Sequence, residues 1–458
     1  MPAGTAPPDW LPRIAAGDGP IYRQIAKALA NDIRAGVLGP GMLLPPHRDL
    51  AAVLGVTVST VTKAYKEVAR LNLVTAHARG GTRVIRRTAA VPGWGGTRHH
   101  DPAMVDLASN SVGTDRYLLE LATALPSLSS SARFGDLQEY SPVAGHPHYR
   151  EVVSGWLAER GVQTRSDRIV ITGGAHQALA AILAALAQDA VTLIAEELTY
   201  APLQPLARSL RLRLEPVAMD ADGLDPDDLE RVCRRVRRPA LFVTPNLNNP
   251  TTATLAPARR RAIVRTARRH DVRIVEDDVF ALLAERPLPP FAAMAPERVF
   301  HFSSFAKAVA PGLRMGFACA PDPELADRVS SAVGLSTRMA PPLDAELACQ
   351  WLADGTLERV VNANRTELAA RVALARRVLD RFALRSGRFG PHLWLSLPPG
   401  LDEDTAVRSA AAAGVLVLPS REFSIRGTAC HALRLTLTAP RTREALGRGL
   451  ERLRDAIG

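Results

Sequence analysis

From residue 169 to residue 302, short apolar runs alternate with stretches of helical period. Ile169–Ile171, Thr192–Ala195, Ala240–Thr244, Val272–Glu276 and Arg298–Phe302 are the runs, and a helix over 256–270 lies between two of them. A strand–helix–strand unit sets its strands parallel, because the helical crossover returns the chain to the start of the next strand. The alternation therefore predicts an α/β domain built on a mainly parallel sheet. From about residue 342, Ala/Leu/Arg-rich helices and short strands predict a smaller α+β subdomain.

The first 85 residues follow a different pattern. Residues 21–35 put Ile21, Ile25, Ala28, Leu29 and Ile33 on one helical face. Gly36 and Gly39-Pro40-Gly41 break that helix, and a short one follows over 47–54, with Leu50, Val53 and Leu54 apolar and Gly55 closing it. Thr57 can cap a third helix over 58–71, with Val61, Ala64, Tyr65, Val68 and Leu71 inward. Leu73–Thr75, a Gly80-Gly81 turn and Thr82–Ile85 form a hairpin. This is a winged helix-turn-helix layout. Residues 86–105, rich in Gly, Pro and His, have no period and read as a linker. The expected organisation is thus 1–85, a linker over 86–105, and a domain over 106–458, divided into a large part of about 130–340 and a small part of about 341–458.

Charge follows the same division. Of a net +11, residues 1–90 carry 12 basic against 5 acidic side chains, and the other residues 45 against 41. The excess sits on the small N-terminal module, as a polyanion-binding surface or as a solvated basic face. The four cysteines, Cys233, Cys319, Cys349 and Cys430, form no CxxC pair and no metal-spaced cluster with histidine, so no metal site is expected. Together with the absence of a signal-peptide pattern, they point to a reducing, cytoplasmic setting. The longest apolar run, Ala178–Ala187, falls short of the ~18 residues of a membrane span.

Lysine usage singles out one residue. The chain has only Lys27, Lys63, Lys66 and Lys307, and uses arginine elsewhere. Arginine can replace lysine wherever only charge is needed, but not where the amine must lose its proton and attack a carbonyl. Lys307 is therefore either a chance survivor or a Schiff-base nucleophile.

The N-terminal stretches Pro20-Ile21-Tyr22, Gly36-x-x-x-Pro40-Gly41-x-x-Leu44-Pro45, Arg48-Asp49-Leu50-Ala51, Leu54-Gly55-Val56, Thr60-Val61-x-x-Ala64-Tyr65 and Gly80-Gly81-Thr82 resemble the GntR family of DNA-binding domains. The resemblance implies binding to double-stranded operator DNA. It puts Arg48, Thr57, Ser59, Thr60 and Thr62 at DNA-facing positions and Arg79 in the wing. Val58 departs from it, since the family usually has Arg there.

The remainder resembles the fold-type I aminotransferases that use pyridoxal 5′-phosphate (PLP). The strongest element is Ser303-Ser304-Phe305-Ala306-Lys307 followed by Pro311-Gly312-Leu313-Arg314-Met315-Gly316. By resemblance Lys307 bonds the PLP aldehyde, and Arg314 and Ser304 hold its phosphate. Thr172-Gly173-Gly174-Ala175-His176 matches the phosphate cup at a helix start, with Gly174 and Ala175 offering N–H groups. In Val275-Glu276-Asp277-Asp278, Asp277 would pair with the pyridinium nitrogen, with Asp278 as its rival. Asn249, before Pro250, would bond the phenolic oxygen, and Tyr200 would stack on the ring. Tyr140 would reach the neighbouring subunit's phosphate in a homodimer, or would be a core aromatic. Arg434, in Ala432-Leu433-Arg434-Leu435, would clamp an α-carboxylate. The tyrosine that the family places two residues after the aspartate is here Val279, followed by Phe280.

Both resemblances in this order point to the MocR subgroup of GntR regulators. They imply a winged helix-turn-helix joined to an α/β fold-type I aminotransferase-like domain with a smaller C-terminal α+β subdomain. The implied function is PLP-dependent regulation of transcription in response to an amino compound or PLP itself. The alternative is an active aminotransferase with a DNA-binding appendage.

Overall fold

The computed structural model describes residues 11–12, 19–34, 38, 42–70, 73–77, 81–84, 104–113, 115–131, 133–286 and 288–458. The chain divides into two compact units, Met1–Val91 and Pro92–Gly458.

In the first unit, helices Ile21–Arg34, His47–Leu54 and Val58–Arg70 precede an antiparallel hairpin, Val74–His77 with Gly81–Val84. Ile25, Leu29, Val61, Ala64, Tyr65 and Val68 form its core. Gly55 ends the second helix at φ 64°, a left-handed conformation that glycine adopts without the Cβ penalty. Two of the apolar residues of these helices are exposed: Ile21 at 41% and Val53 at 61%. Ile21 is the first residue of its helix. Val53 lies one step round a two-turn helix from Leu50 and Ala51, which are the residues that reach the core. Most of the expected linker, residues 86–103, lies outside the described residues. Its last residue, Val105, is already in a strand, Val105–Asp106, paired in parallel with Val415–Leu416.

The second unit is built on a seven-stranded sheet. In chain order its strands are β1 Ile169–Thr172, β2 Thr192–Glu196, β3 Arg213–Val217, β4 Pro239–Val243, β5 Arg273–Asp277, β6 Val299–Ser304 and β7 Gly316–Cys319. Their order across the sheet is β1-β7-β6-β5-β4-β2-β3. Only β7 runs antiparallel to its neighbours. The sequence pattern does not announce β3, which alternates Arg213 and Glu215 with apolar residues, or β7, which is four residues long.

The sheet separates two cores. Val275, Phe300 and Phe302 pack with helix Ala175–Ala187 on one face, and Ile274 and Phe317 pack with Trp351 and Leu347 on the other. A four-stranded antiparallel sheet, containing His392–Ser396 and Ala432–Thr436, has its own core running from Val372 to Ile457 and including Leu107. The sequence pattern sets the divide near residue 341. In the structure, helix Pro342–Ala353 still packs into the large core, and helix Thr356–Val378 passes from one core (Leu368) to the other (Val372).

One fully buried cation pins the loop after β4. Arg260 donates to the carbonyls of Leu255 (2.9 Å), Pro289 (2.9 Å) and Pro245 (3.1 Å) and to Asn246 Oδ1 (2.7 Å). Replacing it by Met would strip this donor from all four acceptors, of which the Leu255 carbonyl and Asn246 Oδ1 are in buried bonds, while the Pro245 carbonyl keeps the Leu255 N–H at 2.9 Å. Arg260→Met is expected to lower stability by about 3–5 kcal/mol, read as a fall in the urea midpoint of the full-length protein.

Candidate functional site

The end of β5, the turn after β6 and one strand of the small sheet converge on a buried cluster of charges. Asp277 is the last residue of β5 and is 7% exposed. Lys307 closes the 3-10 turn Phe305–Lys307 that follows β6, and its Nζ donates to the Asn110 carbonyl at 2.7 Å. Arg434, on Ala432–Thr436, is 3% exposed. Its Nη2 donates to the Ala108 carbonyl at 2.5 Å, while Nε and Nη1 are buried without a hydrogen-bond partner among the described residues.

These groups tune one another. Burial, with Arg434 and Arg314 nearby, brings the Lys307 pKa down to about 8, against the opposing pull of Asp277. Burial pushes Asp277 up to about 7, while the Val279 N–H (3.2 Å) and Lys307 pull it back. Burial lowers Arg434 to about 10, although Asp106 favours its charge. A lysine near neutrality, an acid near neutrality and an arginine with unused donors form a set able to take up a carbonyl, a proton and a carboxylate.

Strand period parts the two adjacent acids, and their partners tell them apart. Asp277 and Asp278 point to opposite faces of the sheet. Asp278 accepts from Asn246 Nδ2 at 2.7 Å and faces His301 on the side away from Lys307.

A second group forms a cradle suited to an anion. Gly174, at φ 111°, precedes helix Ala175–Ala187, whose first turn directs backbone N–H groups out of the helix. Arg314 Nη2 donates to the Gly173 carbonyl at 2.7 Å, and a Cβ on Gly174 would run into that guanidinium. A Cβ on Gly316 would meet the backbone of Gly174 at 2.7 and 2.8 Å. Ser304 is buried at the end of β6. Tyr200 Oη lies 3.5 Å from His176 Nδ1, and burial, then Asp277, pushes its hydroxyl pKa upward. Asn249 Oδ1 is buried without a partner among the described residues. Tyr140 stands apart. It is 79% exposed with Arg338 over its ring at 5.4 Å, so it is not a core aromatic. Val279 is buried in the large core.

Three residues of this site carry no motif. His392 Nε2 lies 3.1 Å from the Asn248 carbonyl, which can only accept, so Nε2 bears the proton and Nδ1 is a bare, buried acceptor. Burial and Arg434 depress its pKa to about 3. Glu196, buried at the end of β2 and pushed up to about 8 by burial, accepts from Asn248 Nδ2 at 2.9 Å and so braces the loop that carries Asn249. Asn110 leaves both polar side-chain atoms buried and unpartnered among the described residues.

In the N-terminal unit, Arg48, Thr57 and Ser59 are exposed, and Thr60 is half-buried. Thr57 caps its helix, accepting the Thr60 N–H at 3.2 Å. The Thr62 hydroxyl donates to the Val58 carbonyl at 2.9 Å and meets His47 Nδ1 at 3.0 Å. Val58 is 43% exposed. Arg79 lies outside the described residues.

Residues 102–453 match the family of class I and II aminotransferases, and residues 21–84 match the gntR family of bacterial regulatory proteins. The HTH-type transcriptional regulator YdeF of Bacillus subtilis is 29% identical over 98% of this chain and 97% of its own. The probable rhizopine catabolism regulatory protein MocR of Rhizobium meliloti is 28% identical over 89% and 88%. The chain belongs to the class I and II aminotransferase family, in the MocR subgroup of GntR regulators. The vitamin B6 salvage pathway transcriptional repressor PtsJ of Salmonella typhimurium is 28% identical over 92% and 95%. Among solved structures, LysN, an α-aminoadipate aminotransferase of Thermus thermophilus complexed with N-(5′-phosphopyridoxyl)-L-leucine, superposes with a TM-score of 0.68. It is 25% identical over 78% of this chain and 92% of its own. Within this MocR-type chain no described helix is long and apolar enough to cross a membrane.

Lys307 is expected to react with an amine-selective acylating reagent at a rate that rises through about pH 8 and then levels off, where an unshifted lysine would climb towards 10.5. Asp277 favours the ammonium, so Asp277→Asn should move that midpoint further down. Peptide-resolved mass spectrometry of the PLP-free full-length chain measures both.

Proposed function

We propose that this protein is a PLP-dependent regulator of transcription that binds operator DNA through its winged helix and senses an amino acid in its aminotransferase-like domain. The observation that carries this reading is the buried pairing of Lys307, poised near neutrality, with Arg434, which has two unspent donors. A buried guanidinium without an anionic partner is costly, and a ligand carboxylate would supply two charge-assisted bonds at once.

The residues present fit PLP. Arg314, Ser304 and the N–H groups from Gly174 and Ala175 would take its phosphate. Asn249 would bond its phenolic oxygen, Tyr200 would flank its ring, and Asp277 would hold a proton at its ring nitrogen. When bound, PLP supplies an aldehyde open to amine attack and an electron-withdrawing ring. At pH 7 a minor but useful fraction of Lys307 is the free amine. Arg434 would orient an incoming amino acid by its carboxylate, with its amine turned towards Lys307. Val279 offers no donor where the family has a tyrosine. This favours sensing over repeated turnover, although an active aminotransferase remains the rival and is tested by steady-state transamination. The exposure of Tyr140 supports a homodimer in which it reaches the neighbouring subunit, and the cysteine pattern supports a cytoplasmic setting. The excess of basic residues before residue 91 supports the DNA contact, with Arg48, Thr57, Ser59 and Thr60 on its accessible side. PLP as the effector itself gains some support from PtsJ, a repressor of vitamin B6 salvage.

Full-length protein incubated with PLP and borohydride should carry one label, on Lys307, and Lys307→Ala should carry none. Absence of label on the wild type overturns the cofactor reading. Arg434→Met should raise the amino acid concentration needed to shift operator binding by about 10- to 100-fold, the scale of a lost bidentate ion pair. Operator affinity should fall steeply with salt, by roughly −0.9 in log–log slope per phosphate neutralised.

A further inference from the structure

The strand period that turns Asp277 towards Lys307 turns Glu276 and Asp278 to the other face of the sheet. There they meet His301 and Ser303 of β6, with His301 directly opposite Glu276. Asp278, His301, Ser303 and Asn246 line a cavity of 510 Å³, within the range that holds a small molecule. Trp156, Leu357 and Val361 are among its apolar walls, and Lys307, Asp277, Arg314 and Arg434 do not line it.

The polar end of this cavity is built but incompletely satisfied. Asp278 is 9% and His301 2% exposed. Asp278 Oδ1 takes the Asn246 amide at 2.7 Å, but Oδ2 lies 3.9 Å from His301 Nε2, beyond hydrogen-bond reach. His301 Nδ1 is bonded to Glu276 Oε2 at 3.0 Å. Burial works against the imidazolium, but the Glu276 bond and the charges of Glu276 and Asp278 outweigh it and raise the pKa. Each ring nitrogen of His301 thus faces a carboxylate, Nδ1 that of Glu276 and Nε2 that of Asp278, which suits both nitrogens to act as donors. An acceptor, Asp278 Oδ2, thus stands beside a donor, His301 Nε2, and neither has a hydrogen-bonded partner among the described residues.

The charges around this pair cancel. Glu276 and Asp278 are balanced by His301 and Arg260, and Arg260 spends its donors on three carbonyls and Asn246. Arg160, whose charge acts on Asp278 as well as on Glu159 and Glu358, and Arg365 also line the cavity, so its acids and bases balance. Neither an anion nor a cation gains from entering.

We propose that this cavity is a second ligand site, for an uncharged small molecule with an apolar body and a carboxamide-like head. The head's N–H donates to Asp278 Oδ2 and its carbonyl accepts from His301 Nε2.

Isothermal titration of the full-length protein with benzamide tests this, with benzoate and N,N-dimethylbenzylamine as charged counterparts. The tertiary amine cannot condense with an aldehyde, so the Lys307 site does not take it up covalently. Benzamide should bind saturably, one per chain. The two ions, counted only as the binding that Asn362→Trp removes, so that uptake of benzoate at Arg434 is left out, should bind at least about tenfold more weakly, the scale of one charge-assisted hydrogen bond. Asp278→Asn should weaken benzamide by a similar factor. Asn362 is exposed at the mouth, so Asn362→Trp should block entry while leaving the buried floor intact. No saturable binding, equal binding of either ion in the part that Asn362→Trp removes, or an unchanged benzamide titration with Asn362→Trp overturns the proposal. The heat is read independently of any visible PLP absorbance, so a failure of the cofactor reading does not affect this result.

Discussion

A chain of buried polar groups beneath the sheet fixes where the chemistry lies. Arg260 holds Asn246, Asn246 holds Asp278, and Asp278 faces His301, which is bonded to Glu276. Glu276 ends the chain by accepting the N–H groups of Phe291 (2.7 Å) and Ala292 (3.0 Å). Each of these groups would be costly to bury alone, and the network makes their burial tolerable by satisfying nearly all of them. The network also fixes β5 against β6 with Asp278 turned downward, which leaves Asp277 to project upward towards Lys307. Without it nothing in β5 would distinguish the two carboxylates.

On the upper face the balance of charge is different. Lys307, Arg314 and Arg434 face Asp277, with Glu196 nearby and pushed by burial to about 8, hence largely neutral at pH 7. Lys307 and Arg434 are set against Asp277, with Asp106 acting on Arg434 and the exposed Arg314 adding a third cation, so positive charge is in excess. Such an excess is unfavourable in the empty protein and becomes favourable once anionic groups enter. The same field adds to burial in lowering the pKa of Lys307, since each added cation makes its ammonium harder to keep. Anion affinity and amine nucleophilicity therefore share an electrostatic contribution.

Much of this was legible in the sequence, for identifiable reasons. The three N-terminal helices were visible because their apolar period was flanked by Gly and Pro, and Gly55 did adopt the left-handed cap. Lys307 stood out because arginine had displaced lysine almost everywhere else. Pattern alone could not show which of Asp277 and Asp278 faces Lys307, because alternation says only that they part. It also missed Glu196, His392 and Asn110. None of them belongs to a recognisable motif, and the significance of each comes from a partner 48 to 197 residues away. Ile21 and Val53 are exposed because a helical stripe read from period alone is wider than the face a short helix buries.

The segment that follows the N-terminal module in the chain is held by the site itself. Three successive carbonyls of Ala108, Ser109 and Asn110 accept from Arg434 (2.5 Å), Thr436 (2.8 Å) and Lys307 (2.7 Å). The two charged donors differ in what they can share. Arg434 can keep its bond to Ala108 while Nε and Nη1 take a carboxylate, because a guanidinium has five N–H groups. Lys307 has only three, and any covalent bond to Nζ removes donors and redirects the rest. A group bonded to Lys307 therefore competes with the Asn110 carbonyl, whereas a carboxylate on Arg434 does not disturb Ala108. Occupancy of the lysine, more than occupancy of the arginine, is the event that alters the hold on residues 108–110.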